Sequence, residues 1–353
     1  MKSKLDLTYT GSFGTLKANS ISFVPYQKMK VMLEMEIEGL TSALSEFPYS
    51  EDISALSGTQ SGYDLLEMAV NRRLAKRNFL VMRSAPGQVL DFIQFYLSKW
   101  DIDNLKSIIS SKLVGLEQSV SDTFLLSFRD VPMGVFGGMI PHEVYRSIIQ
   151  AGSLEQIIES ASSYHAGRVF LSQLEIYKKH KDVSMFFSAV DSSFNNKLIT
   201  MLKFFRGDEW IVRRYFNELM SARNVDVVLK ARTLGLKFEV LKGSFAQTTV
   251  MGEEKLFQIY SSSEQDLIQN IGSAFGIRIP GGYEYDADLS LALWYGIRNK
   301  YLQIMSSTAS SLNFIMWFLI KSEAEREKLR GIINGKRYSL DRKRIIALTG
   351  LAE

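Results

Sequence analysis

The chain reads Trp100-Asp-Ile-Asp-Asn-Leu-Lys-Ser-Ile-Ile-Ser-Ser-Lys112, and a related pattern recurs twice more. The other copies are Ser221-Ala-Arg-Asn-Val-Asp-Val-Val-Leu-Lys-Ala-Arg232 and Glu325-Arg-Glu-Lys-Leu-Arg-Gly-Ile-Ile-Asn-Gly-Lys336. When they are aligned without gaps, Asn104, Asn224 and Lys328 coincide, so the copies lie 120 and 104 residues apart. A repeat of that length predicts three related lobes rather than a short-period solenoid.

Apolar residues follow a helical period in every copy. Four positions coincide in the alignment: Leu105, Val225 and Leu329; Ile108, Val228 and Ile332; Ile109, Leu229 and Ile333; and the basic Lys112, Arg232 and Lys336. Aromatic-rich stretches with three- and four-residue steps precede the copies, at residues 89–100, 210–220 and 314–320. This period is typical of helices that bury one face. With only six prolines in 353 residues, the chain is predicted to be all-α.

The repeat also suggests where the lobes end. The ends of the first two copies place boundaries near residues 117 and 238, which gives lobes of residues 1–117, 118–238 and 239–353. Glycine- and proline-rich joints at residues 131–141 and 276–282 predict turns. Ser153 and Ser263 lie 110 residues apart, each three residues before Gln or Asp, and predict helix N-caps. Strand patterns are weak, and the best short candidate is Lys237-Phe-Glu-Val-Leu-Lys242.

Composition narrows the class of protein. Hydrophobic residues make up 46% and charged residues 23%, as in soluble globular proteins, and the net charge of +4 is mild for a nucleic-acid binder. The absence of cysteine excludes disulfides and thiolate metal sites. Charges at Lys2, Lys4 and Asp6 argue against a signal peptide. The strongest apolar run, residues 314–320, is short against the roughly 20 residues of a membrane span, so we expect any membrane association to be peripheral.

Asp101 and Asn104 place two polar side chains on an apolar helix face. They share that face with Leu105 and Ile108, because the spacing is i, i+3, i+4, i+7. Such a pair is either catalytic or part of a buried hydrogen-bond network that fixes the helix. Lys328 replaces the asparagine in the third copy, and a catalytic pair is not expected to be triplicated with such an exchange. We therefore predict a structural network.

The sequence contains no strong pattern for a site of known chemistry. The segment Gly331-Ile-Ile-Asn-Gly-Lys336 is one residue short of a phosphate-binding P-loop, and Arg337 stands where serine or threonine would hold magnesium. Gly134-Val-Phe-Gly-Gly138 lacks the start of a dinucleotide loop. His142, His165 and His180 are too far apart in sequence to share a helical turn, so a metal site is not expected. No catalytic residue, cofactor or metal ligand is predicted, although a catalytic triad assembled in space stays open.

Basic residues cluster at three places. These are Arg72, Arg73, Lys76 and Arg77; Lys178-Lys-His-Lys181; and Arg342-Lys-Arg344. Each cluster is either a solvated helix face or a contact for an acidic protein or anionic headgroups. Nucleic acid is less favoured, because aromatic residues are not interleaved with the clusters as in stacking platforms.

Three segments resemble one known family. Lys99-Trp-Asp-Ile-Asp-Asn-Leu-Lys106 is similar to the KWD-x-x-NLK signature of the C subunit of the archaeal A-type ATP synthase, whose equivalent in the vacuolar ATPase is the d subunit. Leu229-Lys-Ala-Arg-Thr-Leu-Gly-Leu236 resembles the LRARxLGL stretch of its second lobe, and residues 325–336 resemble its C-terminal element. The resemblance covers residues 60–353, with Lys328 and Ser221 as departures and a poor match over residues 9–17.

The resemblance implies a fold and a function. Members of this family form a cup or funnel of three helical lobes related by pseudo-threefold symmetry. The cup sits on the cytoplasmic face of the membrane, on the proteolipid ring, and receives the central shaft made by the D and F subunits. One copy per complex transmits torque as part of the rotor, without an active site, cofactor or nucleic acid, and so couples ATP chemistry to proton or sodium transport. The alternatives are a free-standing helical scaffold or nucleic-acid binder, and a helical enzyme.

Overall fold

The protein is almost entirely helical, as predicted. A computed structural model describes residues 9–115, 127–128, 131–132, 138–205, 209–246, 248–279 and 286–351. In chain order, the helices are α1 (Thr10–Ser20), α2 (Tyr26–Met32), α3 (Ile37–Ser45), α4 (Tyr49–Leu56), α5 (Gly62–Ser84), α6 (Gly87–Leu113), α7 (His142–Gln150), α8 (Leu154–Ala161), α9 (His165–His180), α10 (Val183–Met201), α11 (Trp210–Thr233), α12 (Glu253–Ser261), α13 (Glu264–Phe275), α14 (Asp286–Ser306), α15 (Leu312–Arg337) and α16 (Arg342–Thr349).

Other regular structure is short. Strands β1 (Ser127–Phe128) and β2 (Val131–Pro132) form an antiparallel pair in which Ser127 faces Pro132. Among the described residues, two 3₁₀ helices cover Leu202–Phe204 and Phe238–Ser244.

The strand suggested for residues 237–242 is wrong, because that segment forms the second 3₁₀ helix. Phe238 and Leu241, spaced by three, are buried, whereas Val240 is exposed. A strand would place Phe238 and Val240 on the same face. The ring of Phe238 packs against Phe245 and Phe257, with centroids 5.6 and 5.2 Å away, and this packing fixes the three-residue period.

The helices form two compact units. The terminal unit contains residues 1–7, 23–36 and 202–353, and the middle unit contains residues 8–22 and 37–201. The copy of the repeat on α6 belongs to the middle unit, and the copies on α11 and α15 belong to the terminal unit. The division into three lobes near residues 117 and 238 stays a prediction.

In the middle unit, α6 is the central helix and packs against α5, α8, α9 and α10. Its apolar stripe is buried as the sequence predicts, from Val89 through Ile109. Phe95 on α6 stacks on Phe194 of α10 with ring centroids 4.9 Å apart. Lys106 pairs with Asp191 of α10, which adds a polar link to the same contact.

In the terminal unit, α11 packs against α12, α14 and α15, while α2 and α16 pack on α15. Glu218 of α11 is buried, and its carboxylate accepts hydrogen bonds from the ammonium of Lys300 at 2.9 Å and the hydroxyl of Tyr301 at 2.8 Å. Both donors lie on α14, so the buried charge is compensated by the helix against which α11 packs.

The two predicted serine caps are confirmed. The hydroxyl of Ser153 accepts the amide hydrogen of Gln156 at the start of α8, and that of Ser263 accepts the amide hydrogen of Asp266 at the start of α13, both at 3.2 Å. Each hydroxyl satisfies a donor that the first helical turn leaves unpaired.

The segment resembling a P-loop lies inside α15, and its glycines have a packing role. A Cβ at Gly331 would lie 2.5 Å from Cγ2 of Thr349, and one at Gly335 would lie 2.5 Å from Cγ1 of Ile345. Both neighbours belong to α16. Because the glycines are four residues apart on one face of α15, they form a groove into which α16 packs.

We predict that Gly335→Ala destabilises the protein by about 1–3 kcal/mol, because the added methyl group forces Ile345 away. Urea unfolding followed by circular dichroism measures the change. Gly14→Ala on α1 is the matched control, since apart from its chain neighbours and the adjacent backbone of its own helix nothing lies within 4 Å of the place its methyl group would occupy. That substitution should stabilise by about 0.5–1 kcal/mol. A gain in stability for Gly335→Ala would refute the packing role.

Candidate functional site

The first repeat copy holds a buried hydrogen-bond network, as predicted for Asp101 and Asn104. The fully buried carboxylate of Asp101 accepts the amide hydrogens of Met139 at 2.6 Å and Ile140 at 3.3 Å, and the hydroxyl of Tyr145 at 2.7 Å. The side-chain amide of Asn104 donates to the same hydroxyl at 3.0 Å. The pair therefore anchors the irregular segment before α7, and α7 itself, to α6.

Tyr145 stays a hydrogen-bond donor in this network. Burial, together with the charge of Asp101, raises the pKa of Tyr145 well above its usual value. Gly138 makes the close approach possible, because a Cβ at that residue would collide with the carboxylate of Asp101.

The second copy holds an irregular segment in the same way. The side chain of Asn224 forms two hydrogen bonds with the backbone of Ala246, accepting from its nitrogen at 2.9 Å and donating to its oxygen at 2.8 Å. Ser221, at the position of Asp101, donates to the hydroxyl of Thr248 at 3.0 Å. The chain that follows the 3₁₀ helix is thereby fixed to α11.

The third copy receives its segment from the other end of the chain. The carboxylate of Glu325, which is buried on α15, accepts the amide hydrogen of Val24 at 2.6 Å across 301 residues of sequence. Lys328 does not repeat the asparagine contacts. Its ammonium lies 3.4 Å from the carbonyl oxygen of Gly350 and 5.2 Å from the ring centroid of Tyr26.

The correspondence continues past the end of each aligned segment. The residues three positions after Lys112, Arg232 and Lys336 all have positive φ, namely Gly115 at 69°, Gly235 at 64° and Ser339 at 53°. The backbone amide of each also donates a hydrogen bond to the carbonyl oxygen of the basic residue three positions before it, at 3.1 Å in all three cases. All three repeat helices thus end in a left-handed residue, which is usually glycine. Gly115 and Gly235 are the sequence signal from which these two helix ends could be predicted.

Exposed apolar residues lie at these helix ends. The aligned residues Val114, Leu234 and Tyr338 are 71%, 70% and 69% exposed. Leu113, Leu236 and Leu340 beside them are also exposed. We call these pairs the apolar tips: Leu113 with Val114, Leu234 with Leu236, and Tyr338 with Leu340. Sequence reasoning missed them because the copies were aligned only over the positions that face the core.

The basic cluster on α5 is paired within the protein. Arg72, Arg73 and Lys76 surround the buried carboxylate of Asp52 on α4, with nitrogen-to-oxygen distances of 3.2, 2.6 and 2.7 Å. Arg77 is also buried and donates to the carbonyl oxygen of Ser22 at 3.2 Å. For this cluster, the interpretation as a solvated helix face is wrong, while contact with an acidic partner or anionic headgroups stays a prediction.

The other basic clusters differ from each other. Arg342 pairs with Glu34 at 2.7 Å and Arg344 with Asp288 at 2.6 Å, so this cluster joins α16 to its neighbours. In the cluster at the end of α9, residues 178–181 are exposed, and Lys178 forms an exposed pair with Glu175 at 2.7 Å. This last cluster remains a candidate for contact with an acidic partner.

The structure describes the side chains of two of the three histidines. His165 packs edge-on against Phe95 with centroids 5.5 Å apart, and burial lowers its pKa. His180 is exposed at the end of α9, and the side chain of His142 lies outside the described part, as do residues 134–137 of the glycine-rich loop. Within the described residues, no group of three or more histidine, aspartate or glutamate side chains could hold a metal ion. No described helix is both long and apolar enough to cross a bilayer.

Comparison with known proteins places all three copies in one family. The model of the ATP synthase (C/AC39) subunit family matches residues 20–348, which contain the repeat helices and the apolar tips. The chain belongs to this family. The resemblance seen in the sequence is therefore confirmed.

Members of the C/AC39 family match almost the whole chain. The A-type ATP synthase C subunit of Thermoplasma acidophilum is 32% identical over 338 residues, covering 94% of this chain and 95% of the relative. That of Thermoplasma volcanium is 29% identical over 350 residues, covering 98% of each. That of Haloferax volcanii is 24% identical and covers 90% of this chain and 89% of its own.

We predict that Asp52→Ala destabilises this C/AC39 chain by roughly 2–4 kcal/mol. The substitution removes the buried carboxylate that three cations share. Arg73 and Lys76 keep the exposed Glu51 at 3.3 and 3.4 Å, and the cations are partly exposed, so the loss stays below that of a fully buried pair. Urea unfolding measures it. Glu34→Ala, which breaks the exposed pair with Arg342, should cost less than about 1 kcal/mol. Equal effects of the two variants would contradict the role of Asp52.

We predict a pH-dependent contribution from Asp101. Burial raises its pKa to about 6 from 3.8, although hydrogen bonds from Met139, Tyr145 and Ile140 lower it. Since the folded state binds the proton more tightly, this contribution is fully present below pH 4 and is lost as the pH rises through 6. The loss amounts to up to about 3 kcal/mol.

Urea unfolding of the wild type and Asp101→Asn at pH values from 4 to 7 tests this. The free energy of unfolding of the wild type should fall relative to the variant across that range. A relative gain with rising pH would instead mean that the network stabilises the ionised carboxylate.

Proposed function

We propose that this protein is a non-catalytic subunit of an A-type ATP synthase that couples the central shaft to the membrane rotor. The observation that carries the proposal is the family match over nearly the full length, to relatives named as the C subunit of the A-type ATP synthase. We further propose that three lobes form a cup on the cytoplasmic side of the membrane, with one copy per complex. The D and F subunits of the shaft and the proteolipid ring are its proposed partners.

The buried networks suit a part that transmits torque. In each copy, a polar side chain of the long repeat helix holds an irregular segment by hydrogen bonds to its backbone or to an adjoining side chain. Close packing around these bonds leaves little freedom for a segment to move against its helix. A stiff body of this kind transmits rotation without needing a nucleophile or a cofactor.

The apolar tips are the proposed contacts with the proteolipid ring. Exposed leucine, valine and tyrosine side chains at equivalent places in three repeats are costly in water unless a partner covers them. A ring of identical subunits presents the same surface several times, so it offers equivalent partners to equivalent tips. Each tip also lies next to a basic residue, Lys112, Lys237 or Lys336, and therefore suits an apolar surface with acidic neighbours.

The alternative of a nucleic-acid binder has less support. Two of the three basic clusters are engaged with carboxylates of the same chain. A binder that uses several phosphate contacts would lose affinity steeply with salt. Titration with duplex DNA or RNA at two salt concentrations separates this alternative from the rotor subunit.

Reconstitution tests the proposed function. The soluble catalytic head and the proteolipid ring should assemble into an ATP-driven ion pump only when this protein is added. Attachment of the head to the ring, measured by co-sedimentation with proteoliposomes, should need it as well. Equal attachment in its absence would disprove the coupling role.

We predict that the triple variant Val114→Asp, Leu234→Asp and Tyr338→Asp folds normally but loses binding to the ring by about tenfold or more. The residues are mostly exposed, so the substitutions leave the core intact, while each carboxylate must be desolvated at the contact. Ile21→Asp is the control, since Ile21 is 88% exposed and belongs to no repeat helix. Unchanged binding to the ring, or loss of binding only to the D and F subunits, would refute this assignment of the tips.

A further inference from the structure

A cavity lies in the terminal unit between α2, α14 and α15. Its volume is about 420 Å³, within the range of sites for small molecules. Among the side chains that line it are Tyr26, Gln303, Trp317, Lys321, Glu325 and Lys328. The cavity therefore combines aromatic surface with two ammonium groups.

The aromatic wall is held in place from behind. Trp317 stacks on Phe314, with centroids 5.0 Å apart and planes at 28°, and meets the edge of Phe23 at 6.0 Å. Phe23 belongs to the segment that Glu325 fixes through the amide of Val24. The indole is thus fixed on one side, while its cavity side is available to a flat apolar group.

Lys328 is the departure from the repeat that makes this cavity distinctive. The equivalent Asn104 hydrogen-bonds to Tyr145, and Asn224 bonds to the backbone of Ala246. The ammonium of Lys328 has no carboxylate within ion-pair distance in the described part of the chain, and its hydrogen bond to Gly350 is long at 3.4 Å. Burial, with the nearby charges of Arg298 and Lys321, lowers the pKa of Lys328 to about 8.

The charges around the cavity favour a monoanion. Lys321 lies two helical turns before Lys328 on α15, and no carboxylate of the described residues pairs with it either. Glu325 is the one carboxylate in the described lining, and it already accepts the amide hydrogen of Val24. Arg298 and Glu327, which also act on Lys328, pair with each other and cancel. Two ammoniums and one carboxylate then leave a single positive charge, which a carboxylate ligand neutralises and a phosphate dianion would exceed.

We propose that this cavity binds a carboxylate carried on a flat apolar body. The carboxylate lies between Lys321 and Lys328, and the apolar body lies against Trp317 and Tyr26. Asn299, Gln303 and Ser306 on α14 provide further hydrogen-bonding groups. The carboxylate belongs either to a small organic acid or to a neighbouring subunit of the complex, and the chemistry of recognition is the same.

Calorimetry with 4-phenylbutyrate as the probe and the full chain as the receptor tests the site. The acid should bind with one-to-one stoichiometry and change the tryptophan fluorescence of the wild type but not that of Trp317→Phe. The alcohol 4-phenylbutanol, which has the same body and no charge, should bind at least about tenfold more weakly. Failure of the acid to saturate up to 10 mM, or equal binding of the alcohol, would overturn the proposal.

Two variants locate the binding. Lys328→Asn introduces the residue found in the other two copies, and Lys321→Met removes the second ammonium. Each should weaken binding of 4-phenylbutyrate by about tenfold, while Lys343→Met, an exposed lysine on α16, should not change it. Circular dichroism and urea unfolding verify that the variants fold. Wild-type affinity in both Lys328→Asn and Lys321→Met would place the probe elsewhere and refute the site.

The assembled complex distinguishes the two sources of the carboxylate. If the site serves a free acid, 4-phenylbutyrate binds the complex as it binds the isolated chain. If a neighbouring subunit supplies the carboxylate, assembly blocks the probe, and Lys328→Asn weakens assembly. Both results support the cavity as a carboxylate site, and neither depends on the proposed rotor function.

Discussion

Hydrogen bonding between one helical side chain and the backbone of an irregular segment underlies the architecture of this protein. Asp101 and Glu325, at the same repeat position, accept amide hydrogens from segments that have no regular structure of their own. An unpaired amide in such a place costs about 1–3 kcal/mol, so each segment is held in one position on its helix. The long helices are rigid, and these hydrogen bonds fix the irregular segments between helices to them.

The same constraint explains why the two ends of the chain share a unit. The segments held by the first two copies follow those copies in sequence, at Met139 and Ala246. The segment held by the third copy instead precedes it in sequence, because Val24 lies 301 residues before Glu325. Residues 23–36 consequently belong with residues 202–353. No local pattern predicts this closure, because the partners are 301 residues apart.

The sequence predicted the features that depend on interactions between residues close to each other in the chain. The helical period, the buried faces of α6 and α11, and the caps at Ser153 and Ser263 follow from spacing and from the needs of the first helical turn. The basic residues of α5 were misread, since their partner Asp52 lies on another helix and a charge run in sequence carries no information about it. The 3₁₀ helix at Phe238 was missed for the same reason, because its period is set by aromatic rings of later residues.

Because the same helical framework occurs three times, one copy can differ from the other two while the fold is kept. In the third copy, Glu325 accepts the backbone amide hydrogen of the incoming segment. Lys328 contacts that segment through the ring of Tyr26 and not through a backbone hydrogen bond of the described residues. An asparagine there would satisfy backbone groups, whereas Lys328 places a charge beside a cavity. Burial disfavours the charged form of Lys328 and lowers its pKa to about 8. In the proposed site, a carboxylate ligand between Lys321 and Lys328 restores a charge interaction to this ammonium, which gives the exchange of asparagine for lysine a function.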